Sequence, residues 1–414
     1  MNFPYTTHSL ATFLLILKFG FSILVLSACS STPTEQSQIL LSAEQGTHSN
    51  SDEPIQPVVP PVDKLSPPRR PQTLQITAVG DIMLGTDYPD YRLAPNDGKD
   101  LLSGVAQILA QADITFGNLE GTFGTAGIAE KKCPDLRRCY VFRMPPRYAQ
   151  YLLDSGFDVM SLANNHARDF GDSGRLLTMQ VLDNYGIKHS GLMGDIAEWE
   201  LKGLSVALIA FAPFRGAHDF LDLDYVHEAI SALASQKDIV LVSFHAGAEG
   251  ESFTHIPFET EYFHGENRGD VVLFAHTAVE AGADVVIGHG PHVPRALELY
   301  QDKLIAYSLG NFCTTLGINV AGRNGLAPIL SFTINEQGDF LSGHIDSARQ
   351  IRPAGPVLDK AHQAARLIKA LTEHDFPTTG LKISPGGSIR LKKAELGLNI
   401  LETKSDKAGL DSVK

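Results

Sequence analysis

From Leu74 onward the chain alternates between short apolar runs rich in β-branched residues and longer segments with helical spacing. The runs LQITAVG, DITFGNL, FDVMSLA, LSVALIAFA, DIVLVSF and ADVVIG predict strands. LLSGVAQILAQA, PPRYAQYLLDSG, GRLLTMQVLDNYG and DVVLFAHTAVEAG predict helices. Strand and helix in alternation define an α/β domain with a largely parallel or mixed sheet. After His292 strand follows strand, in ALELYQDKLIAYSLGNF and PILSFTINEQGDFLSGHI, and the QD and QGD turns predict antiparallel pairs completing a second sheet. A helix from about Leu358 to Glu373 is expected next, and the tail past Lys382 is polar. There is no internal repeat.

The pattern before Leu74 is different. FGFSILVLSA follows Lys18 and leads to Cys29, a stretch too short to span a bilayer comfortably and built like a secretory h-region. LSAC looks like a bacterial lipobox, so cleavage before Cys29 and lipidation of its thiol are expected, placing the rest of the chain outside the cytoplasm. Ser30 after the cysteine favours, by analogy with Gram-negative lipoproteins, the periplasmic face of the outer membrane. The Ser-, Pro- and Gln-rich segment that follows cannot bury enough surface to offset its ordering entropy and reads as a flexible tether. The expected organisation is a signal peptide over 1–28, a tether over 29–72, a folded domain over 73–354, and a C-terminal helix with polar tail over 355–414.

Composition narrows the field. With 414 residues, 43% hydrophobic and 20% charged, the chain can bury a large core. A formal charge of −13 without a long basic run argues against nucleic acid as a partner. In an oxidising compartment the CPDLRRC spacing reads as a local disulfide between Cys133 and Cys139, leaving Cys313 as a small buried hydrophobe.

The chemistry is concentrated where apolar runs stop. ITAVGD ends on Asp81, ITFGNLE on Glu120, SLANNH on Asn165 and His166, LVSFH on His245, and VVIGHGPH on His289 and His292. Ligands of α/β sheets bind beyond the carboxyl ends of the strands, so these groups can converge in one crevice. Two carboxylates, an amide oxygen and several imidazoles suit Zn²⁺, Mn²⁺ or Fe²⁺ better than Ca²⁺ or Mg²⁺. There are ligands enough for two ions, and a pair bridged by a carboxylate can deprotonate a shared water near neutral pH.

VGDIMLG, GNLEGT, SLANNHARDFGDSG, FHAGAE, GADVVIGHGPHV and IAYSLGNF, in this order over roughly Ile76 to Ile334, resemble the CapA-type poly-γ-glutamate or capsule biosynthesis proteins of the calcineurin-like metallophosphoesterase superfamily. The resemblance implies a four-layer α/β/β/α sandwich with metals between the edges of two sheets. It implies Asp81 and His292 on a first metal, Glu120 bridging, and Asn165, His245 and His289 on a second. His166 would stand beside them to stabilise charge or protonate a leaving group. Of the superfamily's usual Asp-x-His opening only Asp81 is present, and Ala246 stands where many members carry an aromatic residue.

Secondary expectations follow. Asn164 caps or orients its neighbours, Asn311 supports the site from a turn, and Glu249 is either a partner of the site or a surface charge. His255, His264 and His276 read as structural, and the loop Glu251 to Asp270 as a cleft wall or a surface insertion. The implied function is an envelope-tethered, metal-dependent hydrolase or transferase of capsule or poly-γ-glutamate metabolism, acting through a metal-bound hydroxide on a capsule polymer or other envelope substrate. The alternative is a non-catalytic accessory protein that binds, exports or anchors an anionic polymer, working with membrane subunits of a polymer synthase. That reading needs a basic patch, for which Arg137, Arg138, Arg143 and Arg147 are the candidates.

Overall fold

Strict two-residue alternation sets the architecture. In Ile239–His245, Ile239 and Leu241 face one core while Val240, Val242 and Phe244 face another. A strand apolar on both faces must be covered on both, and here one face meets a second sheet and the other meets helices. The computed structural model describes residues 72–131, 140–315 and 317–392. The expected signal peptide, Cys29, nearly all of the tether, the Cys133–Cys139 pair and the end of the tail lie outside the described residues.

Among the described residues, seventeen strands form the two main sheets. In chain order they begin with β1 (Thr73–Met83), β2 (Ile114–Leu119), β3 (Val159–Ser161), β4 (Lys188–Ser190), β5 (Ala197–Leu201) and β6 (Leu204–Ala212). β7 (His218–Asp219), β8 (Ile239–His245), β9 (Val285–His289), β10 (Leu297–Tyr300), β11 (Lys303–Ala306) and β12 (Asn311–Thr314) follow. The last are β13 (Leu326–Asn335), β14 (Phe340–Ile351), β15 (Gly355–Leu358), β16 (Leu381–Ile383) and β17 (Ser388–Leu391). The first sheet has ten strands in the order β16-β17-β14-β13-β1-β2-β3-β4, with β12 on β1 and β15 on β14. The second has seven, in the order β7-β6-β8-β9-β11-β10, with β5 beside β6. Both are mixed: β1 to β4 run parallel, as do β6, β8, β9 and β11, while β13 and β10 return antiparallel.

The layers are helices, sheet, sheet, helices, as the resemblance implies. Leu74, Ile76, Phe116, Leu208, Leu241 and Ile287 pack between the sheets. Helices α1 (Ala106–Leu109), α2 (Ala149–Asp154) and α3 (Gly171–Asn184) cover the first sheet through Leu109, Leu152 and Leu182, against Val79, Ile82 and Met160. Helices α4 (Leu223–Ala234) and α5 (Val271–Glu280) cover the second through Val226, Ile230 and Phe274. Cys313 is fully buried, as expected.

Several expectations need correcting. The predicted helix over LLSGVAQILAQA is helical only at Ala106–Leu109, because the segment around Gly104 is built from turns. α4 was not anticipated, although Asp222 caps it by accepting from the Tyr225 amide. Of the antiparallel strands after His292, only β10 and β11 join the second sheet, while β13 and β14 extend the first. The residue-354 boundary does not mark an end of the fold. β15, β16 and β17 lengthen the first sheet, and helix α6 (Gln363–Asp375) buries Ala365 and Ile368 in the inter-sheet core.

One irregularity positions the chemistry. β1 pairs with β13 as far as Val79 and with β12 from Asp81, and a bulge separates the two registers. Val79 and Ile82 both face the helices, so the bulge turns Asp81 toward the second sheet. Gly80 permits this: a Cβ there would stand 1.9 Å from the Gly310 carbonyl oxygen, which accepts the Asp81 amide at 2.8 Å. We therefore expect Gly80→Ala to lower the unfolding free energy by about 1–3 kcal/mol or more, read from urea denaturation.

At the edge of the first sheet His189 contacts Asp195 at 2.9 Å and Asp183 at 3.2 Å. Burial disfavours its charged form, but the hydrogen bond to Asp195 and the nearby carboxylates outweigh that and raise its pKa. The resulting stability is fully present below the unfolded histidine pKa of about 6.5 and is lost as pH rises through the higher folded value. His189→Gln should cost about 1 kcal/mol at pH 5.5 and less at pH 9, measured by paired urea titrations.

Candidate metal centre

Strands or the segments that follow them deliver the site residues. His245 and His289 are register partners at the ends of β8 and β9 and, like Ile239, Leu241, Val285 and Ile287 before them, face the first sheet. Asp81 faces them across the gap, its Oδ1 lying 3.5 Å from His289 Nδ1 and 3.9 Å from His245 Nδ1. His292, held at φ +57°, places Nδ1 2.9 Å from Asp81 Oδ2 and Nε2 3.6 Å from Glu120 Oε1. Glu120 Oε1 is also 3.9 Å from His166 Nε2 and 4.0 Å from His245 Nε2. Asn165 lines the same cleft as Glu120, His166 and His292. All seven residues singled out in the sequence thus meet at one place, and Asp81, Glu120 and His292 present ligand atoms within 4.8 Å of one another.

The electrostatics are those of a site built for a cation. Both Glu120 carboxylate oxygens, Asn165 Oδ1, His245 Nε2 and both His289 ring nitrogens are buried without a hydrogen-bond partner among the described residues. A buried polar atom left unpaired costs about 1–3 kcal/mol, and a charged one more, so such a cluster is stable only if something else meets it. Burial pushes Glu120 up to about 8; His292 pulls it back, and the Asp81 and Glu249 charges add to the rise. Burial acts the same way on Asp81, but the nearby rings of His289 and His292 overcome it and hold that carboxyl far below its usual range. Burial would lower His292, yet Glu120 and Asp81 raise it to about 10, whereas for His245 burial prevails and the ring is held neutral. The donor set, the spacings and the partnerless atoms all fit a divalent transition metal.

Other side chains complete the centre. Asn118 Nδ2 donates to Asp81 Oδ1 at 2.8 Å and lies 3.1 Å from His245 Nδ1. It was not foreseen, although it stands two positions before Glu120 on the same face of the run. Asn164 orients its neighbours, as expected: Nδ2 donates to Asn118 Oδ1 and the Leu119 carbonyl, and Oδ1 accepts from the His166 amide. Asn311 supports the site by donating to the carbonyls of His292, Asn319 and Asn324. Glu249 belongs to the site, 3.8 Å from His292 Nε2 and paired with Arg268 at 3.0 Å.

His166 is set apart from this network. Its Nδ1 lies 2.8 Å from Asp169 Oδ2, which also accepts the Phe142 amide, and Lys131 Nζ is 3.3 Å from the other Asp169 oxygen. With Nδ1 engaged, Nε2 is the atom that faces the cleft. Burial lowers its pKa and Asp169 works against that shift. Phe142 packs on the ring at a centroid distance of 4.3 Å. Asp169 and Lys131 were also missed; the first sits three residues after His166, while nothing local marks the second.

Above the centre opens a cleft of about 1160 Å³. Phe263, His264, Glu266 and Arg268 line it, which makes the segment from Glu251 to Asp270 a cleft wall. His264 also holds a left-handed turn position, φ +49°, and His276 bonds Glu298 and stacks on Tyr300 outside the cleft. His255 shares Asp375 with His374 away from the cleft. Of the four arginines considered as a polymer-binding patch, Arg143 is engaged by Asp87 and Arg147 by Asp97; the other two lie outside the described residues.

Two facing sheets between layers of helices, with carboxylates and imidazoles gathered in the seam, define an α/β/β/α sandwich with a candidate metal centre. The chain belongs to the family described as "Bacterial capsule synthesis protein PGA_cap", which it matches over residues 75–315. It is 27% identical over 256 residues to the PGA biosynthesis protein CapA of Bacillus subtilis (strain 168), covering 58% of this chain and 63% of that protein. Against the capsule biosynthesis protein CapA of Bacillus anthracis it is 25% identical over 265 residues, covering 59% and 60%. The match thus spans less than two thirds of either relative. Among solved structures it is similar to a 5'-nucleotidase precursor from Thermus thermophilus, with TM-score 0.38, 13% identity and coverage of 69% and 56%. The purple acid phosphatase PPD1 of yellow lupin (Lupinus luteus) gives TM-score 0.36, 12% identity and coverage of 68% and 52%.

Asn164→Ala would strand the Asn118 amide oxygen and the His166 amide in a buried site. It should cost about 1–3 kcal/mol in thermal or urea unfolding while leaving the fold intact by circular dichroism.

Proposed function

We propose that this protein is a metal-dependent hydrolase or transferase of capsule or poly-γ-glutamate metabolism, tethered to the cell envelope through lipid on Cys29. The observation that carries the catalytic part is the buried Glu120 carboxylate, which lacks any hydrogen-bond partner among the described residues and faces three imidazoles. Asp81, Glu120, His245, His289 and His292, with the Asn165 oxygen, would hold divalent metal, Zn²⁺, Mn²⁺ or Fe²⁺, and their number suits two ions. Bound there, the metal would polarise the ester or amide under attack and lower the pKa of a water. Family membership and the printed names of the Bacillus relatives support the capsule or poly-γ-glutamate assignment.

The chain's own residues have distinct tasks in this reading. Asn118 fixes the carboxylate of Asp81 and the ring of His245, so neither must reorganise when a cation arrives. His166, its Nδ1–H held by Asp169, takes a proton at Nε2 from the attacking water and passes it to the leaving group, with Lys131 balancing the Asp169 charge. The cleft walls, including Phe142 and Phe214, displace water from this spot and strengthen every interaction within it.

Purified protein should contain transition metal by elemental analysis, and Asp81→Ala or His289→Ala should remove most of it. Chelation should lower the melting temperature of the parent, and readdition should restore about 2.7 kcal/mol when free metal reaches a hundredfold excess over Kd. A metal-free parent of undiminished stability would refute the reading. In a screen of phosphomonoesters, phosphodiesters and γ-glutamyl peptides, Asp169→Asn should lower turnover roughly 10²–10⁴-fold with metal content unchanged.

A further inference from the structure

Beside the main cleft lies a second cavity of about 320 Å³, sharing Lys131, Asn165 and Phe214 with it. Four cations line it, Lys131, Arg168, Arg175 and Arg215, against two carboxylates, Glu130 and Asp169. Asp169 is occupied with His166, Lys131 and the Phe142 amide, and Arg168 pairs with Asp172 on its own surface turn. Arg175 and Arg215 have no carboxylate within ion-pair distance among the described residues.

Arg175 is the unusual member. It projects from α3 into the protein with only 2% of its surface exposed. Its terminal nitrogens donate to the carbonyls of Gly216 at 2.7 Å and Arg215 at 3.3 Å, and its Nε has no partner. Two backbone carbonyls orient a guanidinium but do not neutralise it, and a buried charge without a counter-charge is costly. Burial, and then the neighbouring Arg168, depress its pKa, while Asp172 and Asp195 offset this only in part. The loop that receives Arg175 turns at Gly216, φ +78°, and carries Arg215, exposed, at the rim. A fixed guanidinium at the base and a movable one at the mouth are the arrangement that planar or tetrahedral oxyanions require.

We propose that this cavity is an anion subsite, in which Arg175 and Arg215 take a carboxylate or phosphate of the substrate flanking the group held in the main cleft. This rests on the metal centre being the reaction site, because Asn165 and Lys131 line both cavities and so set them side by side. The subsite would select substrates that carry a negative charge next to the bond attacked, and would reject the neutral counterpart whatever the metal.

The test is direct binding by calorimetry to the full chain, with inorganic phosphate, N-acetyl-γ-glutamylglutamate and the fully amidated, neutral form of that acetylated dipeptide as probes. Each is titrated into the parent and into His289→Ala, so that loss of the metal centre is separated from loss of the subsite. Either anion should bind saturably in both backgrounds, and the neutral dipeptide at least tenfold more weakly. The tighter of phosphate and dipeptide identifies the source of the anion. Arg215→Ala should weaken binding about tenfold, and Arg175→Met more. Arg215 is exposed, so Arg215→Glu keeps the test decisive if Arg175→Met does not fold. Equal affinity for the neutral dipeptide, no binding of either anion, or anion affinity unchanged by Arg215→Glu would overturn the proposal.

Discussion

Everything in this structure is arranged around one unfavourable act, the withdrawal of two carboxylates from water into the seam between two sheets. Asp81 and Glu120 are both fully buried. Asp81 is compensated by Asn118 and His292, while Glu120 has three imidazoles at 3.6 to 4.0 Å and no hydrogen bond. Such a pair repels, and the histidines around it are themselves held in low dielectric. The arrangement persists because the sandwich supplies rigid ends on both sides of the seam, and because a cation placed among these atoms would turn repulsion into coordination. The apolar inter-sheet core is what keeps the strand ends from relaxing apart.

Much of this was readable in the sequence for a simple reason. A run such as IVLVSFH has only one period, so its terminal histidine is assigned to a face as soon as the apolar residues are. The same logic located Asp81, Glu120, His289 and the Asn-Asn-His stretch at strand ends. Asn118 escaped because it sits inside an apolar run and reads as a strand residue; only its register two before Glu120 marked it. Lys131 and Asp169 act through a contact between separate loops, which no local pattern encodes. α4 was passed over because its apolar positions follow a polar capping segment, and the strands beyond residue 380 because runs of three and four residues carry too few alternations to stand out.

Two kinds of positioning coexist around the metal centre. The inner residues come from β-structure and are held by backbone ladders, so their separations are fixed by register. His166 comes from the segment after β3 and owes its orientation to side chains, Asp169 on one edge and Phe142 on one face. The division would suit the proposed chemistry, in which ligands of a cation must not move whereas a group that exchanges a proton benefits from a softer mounting. The cleft wall is mounted differently again: the two-stranded hairpin Glu261–Gly269 is tied to the body by Arg268 paired with Glu249 and by Glu261 held by the buried Arg295.

The change of partner along β1 also governs when the centre can exist. Asp81 takes its direction from the Gly310 carbonyl and the start of β12, so the first acidic residue of the site is aimed by a strand some 230 residues further along the chain. A nascent chain that has emerged only through β9 already carries Asp81, Glu120, His245 and His289 but lacks the brace that turns Asp81 inward. Long-range closure of this kind is slow and comes late. Under the proposed reading, a cation would find its full set of partners only once the sandwich has closed.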